Sequence, residues 1–345
     1  MSLLVTCVLV SPRGLAEVEL TLQALRAQTI APCLEVLVLA PQPESAECRS
    51  EVAFGAFRVI PVAPIEFRGH TAAIGVRQSS APLVALVEDH AFPEPGWAEA
   101  LVAAMTDAPP STGVPDRLSG ACTRFRNANP ATLVSRVYAL FYYAPLMRKC
   151  ARLEIVDSLP WHNVIYRRQD LLSFEQPLEE LLEPESLLQE ALRRAGGRFG
   201  YVPSVATAHL SCSSISSLAR AVVESARSHT VSRCRTWTLA RKWLYVLASP
   251  VFPWLRMWHM RDRRVYYQEF GSLPEMALGI AFLQIVATVG EVVGLLLGPD
   301  PERWLVKHEL QLGLRLNSAE MARFSTARRP GQGVEAPISF GTRRT

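Results

Sequence analysis

Hydrophobic and polar positions alternate in blocks along the first part of the chain. Leu3 to Val10 is a short valine-rich run closed by Ser11-Pro12-Arg13-Gly14. Leu15 to Ala27 repeats apolar residues at helical spacing through Leu15, Val18, Leu22 and Leu25. Leu34 to Leu39 and Phe57 to Val62 are two more apolar runs, and Thr71 to Gln78 has a helical pattern. Leu83 to Val87 is a fourth strand-like run. Strands that alternate with helices predict a mostly parallel sheet covered on both faces. In such sheets ligands bind beyond the carboxyl ends of the strands.

The rest of the chain has longer helical blocks. Val134 to Leu146 is aromatic and apolar, and is either a core helix or the wall of an acceptor groove. Glu179 to Gly196 predicts a helix with Leu187, Leu188 and Leu192 on one side, stopped by Gly196-Gly197. A short strand, Phe199 to Val202, and a helix rich in serine and arginine, Ile215 to Arg235, follow. Leu239 to Trp258 is interrupted by Pro250 and Pro253 and mixes Trp243, Trp254, Trp258 and Tyr245 with arginines. That composition suits an interfacial segment or an aromatic packing helix. Met276 to Gly298 has one ionisable residue, Glu291, and glycines at 290, 294 and 298. It is long enough to cross a bilayer, and the same pattern suits a buried or re-entrant helix pair. Asn317 to Thr345 is polar and reads as a disordered tail.

Composition narrows the class. The 345 residues are 49% hydrophobic and 20% charged, with a net charge of +4. That supports a sizeable core and gives no reason to expect nucleic acid. The seven cysteines contain no C-x-x-C pair, which argues against a zinc ribbon or disulfide framework and fits a reducing compartment. The N-terminus has no basic stretch before its apolar run and reads as a first strand rather than a signal peptide.

The chemistry concentrates at one strand end. Leu83 to Val87 runs directly into Glu88-Asp89-His90. Carboxylates at such a place suit a hard divalent cation that bridges to substrate phosphates, and histidine is an acceptable ligand for Mn2+. Acids at a strand end are also common with no such role.

Four blocks, in order, resemble the family 2 glycosyltransferases, inverting enzymes of the glycosyltransferase A fold. They span about Leu3 to His209. The first is VTCVLVSPRGLAEVELTLQALRAQTIAPCLEVLVLA, and the second is GHTAAIGVRQSSAPLVALVEDHAFPEPGW. The third and fourth are WHNVIYRRQDLL and EPESLLQEALRRAGGRFGYVPSVATAHL. The resemblance implies a nucleotide-diphospho-sugar-transferase-like fold, a Rossmann-like mixed sheet flanked by helices, followed by C-terminal membrane-associated helices. Together with the apolar C-terminal blocks and the polar tail, it divides the chain into three expected regions: a catalytic domain over 1–212, a helical membrane-associated region over 213–316 and the tail over 317–345.

The resemblance also implies roles. Glu88 and His90 take the outer positions of the usual Asp-x-Asp metal triplet, and His209 matches a histidine that helps to ligate metal or diphosphate. Asp89, Arg77 and Pro12 fall beside the nucleotide. Glu185 stands where the family has its general base, with Glu183 as reserve. The implied activity is metal-assisted inverting transfer, with Mn2+ or Mg2+, from a nucleotide sugar to a hydroxyl of a lipid-linked or polysaccharide acceptor. The catalytic domain would be cytoplasmic and the protein membrane-associated.

Two departures from the family pattern stand in the sequence. The second strand ends in Leu39-Ala40 with no acid, and Ala191 replaces an expected arginine. They keep open a second reading, a catalytically silent glycosyltransferase-like binding or assembly protein. A nucleotidyltransferase would share the strand-end acids, but the Gln28-Thr29 turn and the Tyr-Val-Pro block argue against it.

Overall fold

The alternating blocks form a sheet in the computed structural model, which describes residues 2–12, 14–41, 53–106, 117–147, 150–160, 162–182, 185–259, 271–300 and 315–327. Two units are resolved. Among the described residues, the first comprises those within 1–126 and 146–209, and the second those within 127–145 and 210–327.

The first unit begins with strand β1 (Val5–Val10) and helix α1 (Leu15–Arg26), then β2 (Leu34–Pro41) and β3 (Ala56–Val62). Helix α2 (Arg68–Gln78) leads to β4 (Leu83–Val87), the short β5 (Ala91–Pro93) and helix α3 (Trp97–Thr106). β1 to β4 pair in parallel, as the alternating pattern predicts. β4 is fully buried, so its apolar run needs no polar alternation. Core side chains lie on both faces of this sheet, Leu22, Leu25 and Trp97 in one cluster, Val76, Leu188 and Leu192 in the other.

The other half of the sheet is antiparallel and corrects the expectation of a mostly parallel one. It consists of β6 (Gly120–Asn127), β7 (Glu154–Val156), β8 (Val164–Arg167) and β9 (Phe199–His209). The strand order is β3-β2-β1-β4-β8-β6-β9-β5, with β7 on β9. β8 pairs antiparallel with β4, Leu86 opposite Val164, and β5 pairs antiparallel with β9, Ala91 opposite His209. β9 extends well past the short strand expected at Phe199 to Val202.

The second unit contains helix α4 (Leu133–Tyr143). The block expected to be one helix, Glu179 to Gly196, belongs to the first unit and is split: α5 (Arg168–Leu171) precedes it, then α6 (Leu178–Leu181) and α7 (Glu185–Arg194). The second unit continues with α8 (Ile215–Arg233), α9 (Leu239–Ala248), α10 (Phe252–His259), α11 (Leu273–Leu297) and α12 (Ser318–Ala327). A 3-10 turn over Ser249–Val251 separates α9 from α10, where Pro250 and Pro253 break the run. Val137 and Leu140 of α4 pack in one core with Leu218 and Val222 of α8 and with Met276, Ile280 and Leu283 of α11. The apolar block at 134–146 is therefore core.

Two boundaries differ from the three expected regions. Residues 127–145 belong with the C-terminal helices, not with the sheet. Residues 318–327 of the expected disordered tail are helical, and Asn129 anchors that helix by donating to Glu320 at 2.9 Å. The rest of the tail lies outside the described residues.

Candidate active site

The sheet topology brings three strand ends together. β4 delivers Glu88 at its carboxyl end. β8 runs the other way, so the residues just before it, His162 and Asn163, lie beside that same end. β9 runs antiparallel to β5 and finishes there with His209. Asn163 donates its backbone N–H to the Leu86 carbonyl at 2.6 Å. It holds a left-handed backbone, φ 55°, which is uncommon outside glycine and tends to persist where the surroundings enforce it.

The loop after β4 is fixed from below. Thr21 of α1 points its hydroxyl at the carbonyls of Asp89 and Glu88, at 3.0 and 3.3 Å. Gln28 receives the Ala98 N–H and donates to the Glu94 carbonyl, so the Gln-Thr turn is a brace for this loop.

Three imidazoles surround one carboxylate oxygen. Glu88 Oε2 lies 3.0 Å from His209 Nε2, 3.2 Å from His90 Nε2 and 3.5 Å from His162 Nδ1. The rings of His162 and His209 stack with centroids 4.7 Å apart, and Phe125 packs against His209 at 5.1 Å. His90 Nδ1 faces Asp89 Oδ1 at 2.6 Å. On the other side Arg68 places Nη1 3.4 Å from Glu88 Oε1 and Nη2 3.6 Å from Asp89 Oδ1. All these side chains are buried.

The charges support one another. Burial pushes the Glu88 carboxyl up. His162, His90, the hydrogen bond with His209 and Arg68 outweigh it and hold the group well below the usual carboxylate range. Asp89 is likewise lowered against burial, chiefly by His90. Burial keeps His209 well below the ordinary imidazole value, although its bond to Glu88 works the other way. At neutral pH Glu88 is therefore ionised and His209 neutral, the states a metal ligand requires.

Glu88, His162 and His209 each offer an atom within 4.8 Å of the others. A cation with ligand bonds of about 2.1 Å sets neighbouring ligand atoms about 3.0–3.4 Å apart; the two distances to Glu88 Oε2, 3.0 Å from His209 and 3.5 Å from His162, are near that range. Asn163 Oδ1 is a further buried oxygen at the cluster with no hydrogen-bond partner. One carboxylate and several imidazoles suit Mn2+ or another transition ion better than Mg2+, which favours oxygen. His90 has the carboxylate-oriented geometry typical of a metal-ligating histidine.

The structure thus brings Glu88, Asp89, His90 and His209 together, and adds His162 and Arg68, which sequence reasoning missed. Pro12 lies in the turn just past the carboxyl end of β1, next to β4. Arg77 is elsewhere. It sits at the last turn of α2, the end remote from Arg68, where its guanidinium pairs with Glu179 in an exposed position. α2 runs away from the cluster, so its first residue reaches the acids and its penultimate one does not. Glu185 opens α7. Its side chain, and the whole of Glu183, lie outside the described residues.

No protein-family model and no curated protein sequence matches the chain. Solved structures do. The mannosyltransferase PcManGT from Pyrobaculum calidifontis, in complex with GDP-Man and Mn2+, superposes with a TM-score of 0.50 at 13% identity. The match covers 85% of this chain and 88% of that one. Residues 1–349 of S. aureus TarS in complex with UDP match at TM-score 0.40 and 12% identity, over 59% of this chain. This chain spans 60% of that structure's length. Glucosyl-3-phosphoglycerate synthase from Mycobacterium tuberculosis matches at TM-score 0.38 and 17% identity, over 60% of this chain and 71% of that one. The mixed sheet, its strand order and the superposition on the mannosyltransferase together identify the architecture as the glycosyltransferase A fold.

Proposed function

We propose that the protein is a nucleotide-sugar-dependent glycosyltransferase working at a membrane surface. It moves a sugar, with inversion, to a hydroxyl of a lipid-linked or polysaccharide acceptor. The observation that carries this reading is the Glu88 cluster at the carboxyl end of β4 in a glycosyltransferase A fold. The mannosyltransferase that shares the fold holds GDP-Man and Mn2+, and the reading extends both kinds of ligand to this chain.

A divalent cation bound there supplies positive charge against the departing diphosphate. Glu88, His162 and His209 would hold it, with His90 as a further ligand against the same carboxylate oxygen. Arg68 balances the negative charge of Glu88 and Asp89 and fixes both carboxylates. Asp89 and Pro12 border the nucleotide. Glu185 takes the proton from the acceptor hydroxyl as that oxygen attacks the anomeric carbon. The site faces the cytoplasm.

Two observations favour the second reading, a silent binding protein. Asp89 is already engaged by His90 and Arg68, and Ala40 offers no carboxylate at the end of β2. Calorimetry with UDP and GDP, with and without Mn2+, separates the two. The transferase reading expects metal-dependent binding of one nucleotide, followed by metal-dependent consumption of a matching sugar nucleotide. Binding that is equal or absent in both conditions, in a folded protein, removes it.

A further inference from the structure

The second unit carries an apolar surface that the core does not use. α11 is 25 residues long and strongly apolar. At about 1.5 Å per residue it exceeds a hydrocarbon core of about 30 Å. By length and composition it could cross a membrane. Its packing argues otherwise.

One face of α11 is pressed against α8. A Cβ at Gly290 would come within 2.2 Å of the Val223 carbonyl oxygen, and one at Gly294 within 2.7 Å of the Arg227 carbonyl oxygen. α8 is not a membrane helix. It carries Arg220, Glu224, Arg227, His229 and Arg233 along its length. Arg227 donates to the carbonyls of Gly298 and Pro299 at the end of α11, at 2.6 and 2.8 Å. Taking α11 through hydrocarbon in this pairing would take α8 with it, at about 2.5–3.5 kcal/mol for each such charge on insertion scales.

The opposite face of α11 is an exposed stripe: Leu278, Phe282, Ile285, Val289 and Leu296. These positions fall on one side of a helix. α9 and α10 pack on α11 through Tyr245 and Arg256, and expose Trp243, Trp254 and Trp258, the last two by 72% and 65%. Arginines lie over other aromatic rings of α9 and of the turn that precedes it. Arg241 lies over the Trp237 ring at 4.2 Å and Arg233 over Tyr245 at 5.6 Å. Apolar stripes with exposed tryptophans and a margin of arginine fit the headgroup boundary of an anionic bilayer.

We infer that the second unit binds an anionic lipid surface in the plane of the membrane, through the outer faces of α9, α10 and α11, and that α11 does not cross it. This deepens the membrane part of the proposed function and does not depend on glycosyl transfer, which nucleotide calorimetry tests separately.

The full chain is added to sealed vesicles of phosphatidylcholine, with and without phosphatidylglycerol. The expected result is flotation with the anionic vesicles, a blue-shifted tryptophan emission, and quenching by lipids brominated near the headgroup. Trp254→Ser and Trp258→Ser are exposed changes expected to keep the fold and to weaken binding by about tenfold each. Ser272→Cys and Pro299→Cys flank α11, and both are expected to react with an impermeant maleimide from outside, read at each site by peptide mass spectrometry because the chain has seven native cysteines. Labelling at only one of them would mean a crossing helix and overturn the inference. So would vesicle binding that survives loss of both tryptophans. Failure to bind vesicles overturns it as well, and accompanying concentration-dependent dimerisation would assign the surface to a second copy of the chain.

Discussion

Arg256 holds both oxygens of Glu291 from a single guanidinium nitrogen, Nη2 at 2.7 Å from each. The Tyr245 hydroxyl adds a third bond at 2.9 Å. The one acid in the body of α11, beyond Glu275 in its first turn, is therefore satisfied from α9 and α10. Arg256→Ala leaves that carboxylate buried with a single strong partner, and is expected to destabilise the protein by about 1–3 kcal/mol. Chemical denaturation checks this. Adding Glu291→Gln should recover part of the loss, and a double variant no more stable than the single one would remove the pairing from the account.

The contact between α11 and α8 is closer than any side chain permits. Gly290→Leu is expected to lower stability by about 1–3 kcal/mol or more, because the obstacle at 2.2 Å is backbone. A shift in denaturant midpoint measures it. An unchanged midpoint would mean that the two helices do not pack as described.

Glu35 is a buried acid at the amino end of the sheet. It accepts from Thr6 Oγ1 at 2.6 Å, Ser80 N–H at 2.7 Å and Arg58 Nη2 at 2.7 Å. Burial raises its pKa, but these bonds lower it below the ordinary value of 4.5. A depressed carboxylate stabilises fully above its unfolded pKa, and the contribution is lost as pH falls through the folded one. Part of the acid-induced loss of stability below about pH 4.5 is thus assigned to Glu35. Glu35→Gln should cost about 2–3 kcal/mol at neutral pH and flatten the stability profile on the acid side. Parallel profiles for wild type and variant would exclude this role.

Glu185→Gln is expected to keep nucleotide binding and to abolish transfer, with a rate loss of about a hundredfold or more for removal of a general base. A single-turnover assay with a matched donor and acceptor reads it. Transfer at the wild-type rate would leave the base to another group.

Arg77→Ala should leave nucleotide affinity unchanged and cost no more than about 1 kcal/mol of stability. Its partner is Glu179 on an exposed surface, and such pairs contribute little. Calorimetry with the nucleotide that binds wild type checks it. A tenfold loss of affinity would bring Arg77 back to the site.

The legible and illegible parts of this molecule divide along physical lines. Leu83 to Val87 was readable to the residue because a strand buried on both faces is a plain apolar run. Glu88-Asp89-His90 stood out because three polar groups end that run. His162 did not. Its place depends on β8 being antiparallel to β4, and Val164–Arg167 is too short to show a period. Arg68 is not legible because the helical pattern becomes plain only from Thr71, one turn after the helix begins. The β6 strand, CTRFRN with its arginines, has no apolar run to announce it. The apolar character of α11 is plain in its residues, but nothing in them says that a polar helix covers one face of it.

The placement of α4 has a practical consequence for anyone making shorter forms of this protein. Val137 and Leu140 are covered by residues from α8 and α11, although the chain reaches α4 before it has finished the sheet. A fragment stopped at 212 would keep α4 and lose the α8 and α11 side chains that cover it, exposing Val137 and Leu140 and inviting aggregation. A soluble piece carrying the histidine cluster alone calls for two cuts rather than one: residues 127–145 leave together with everything after 209.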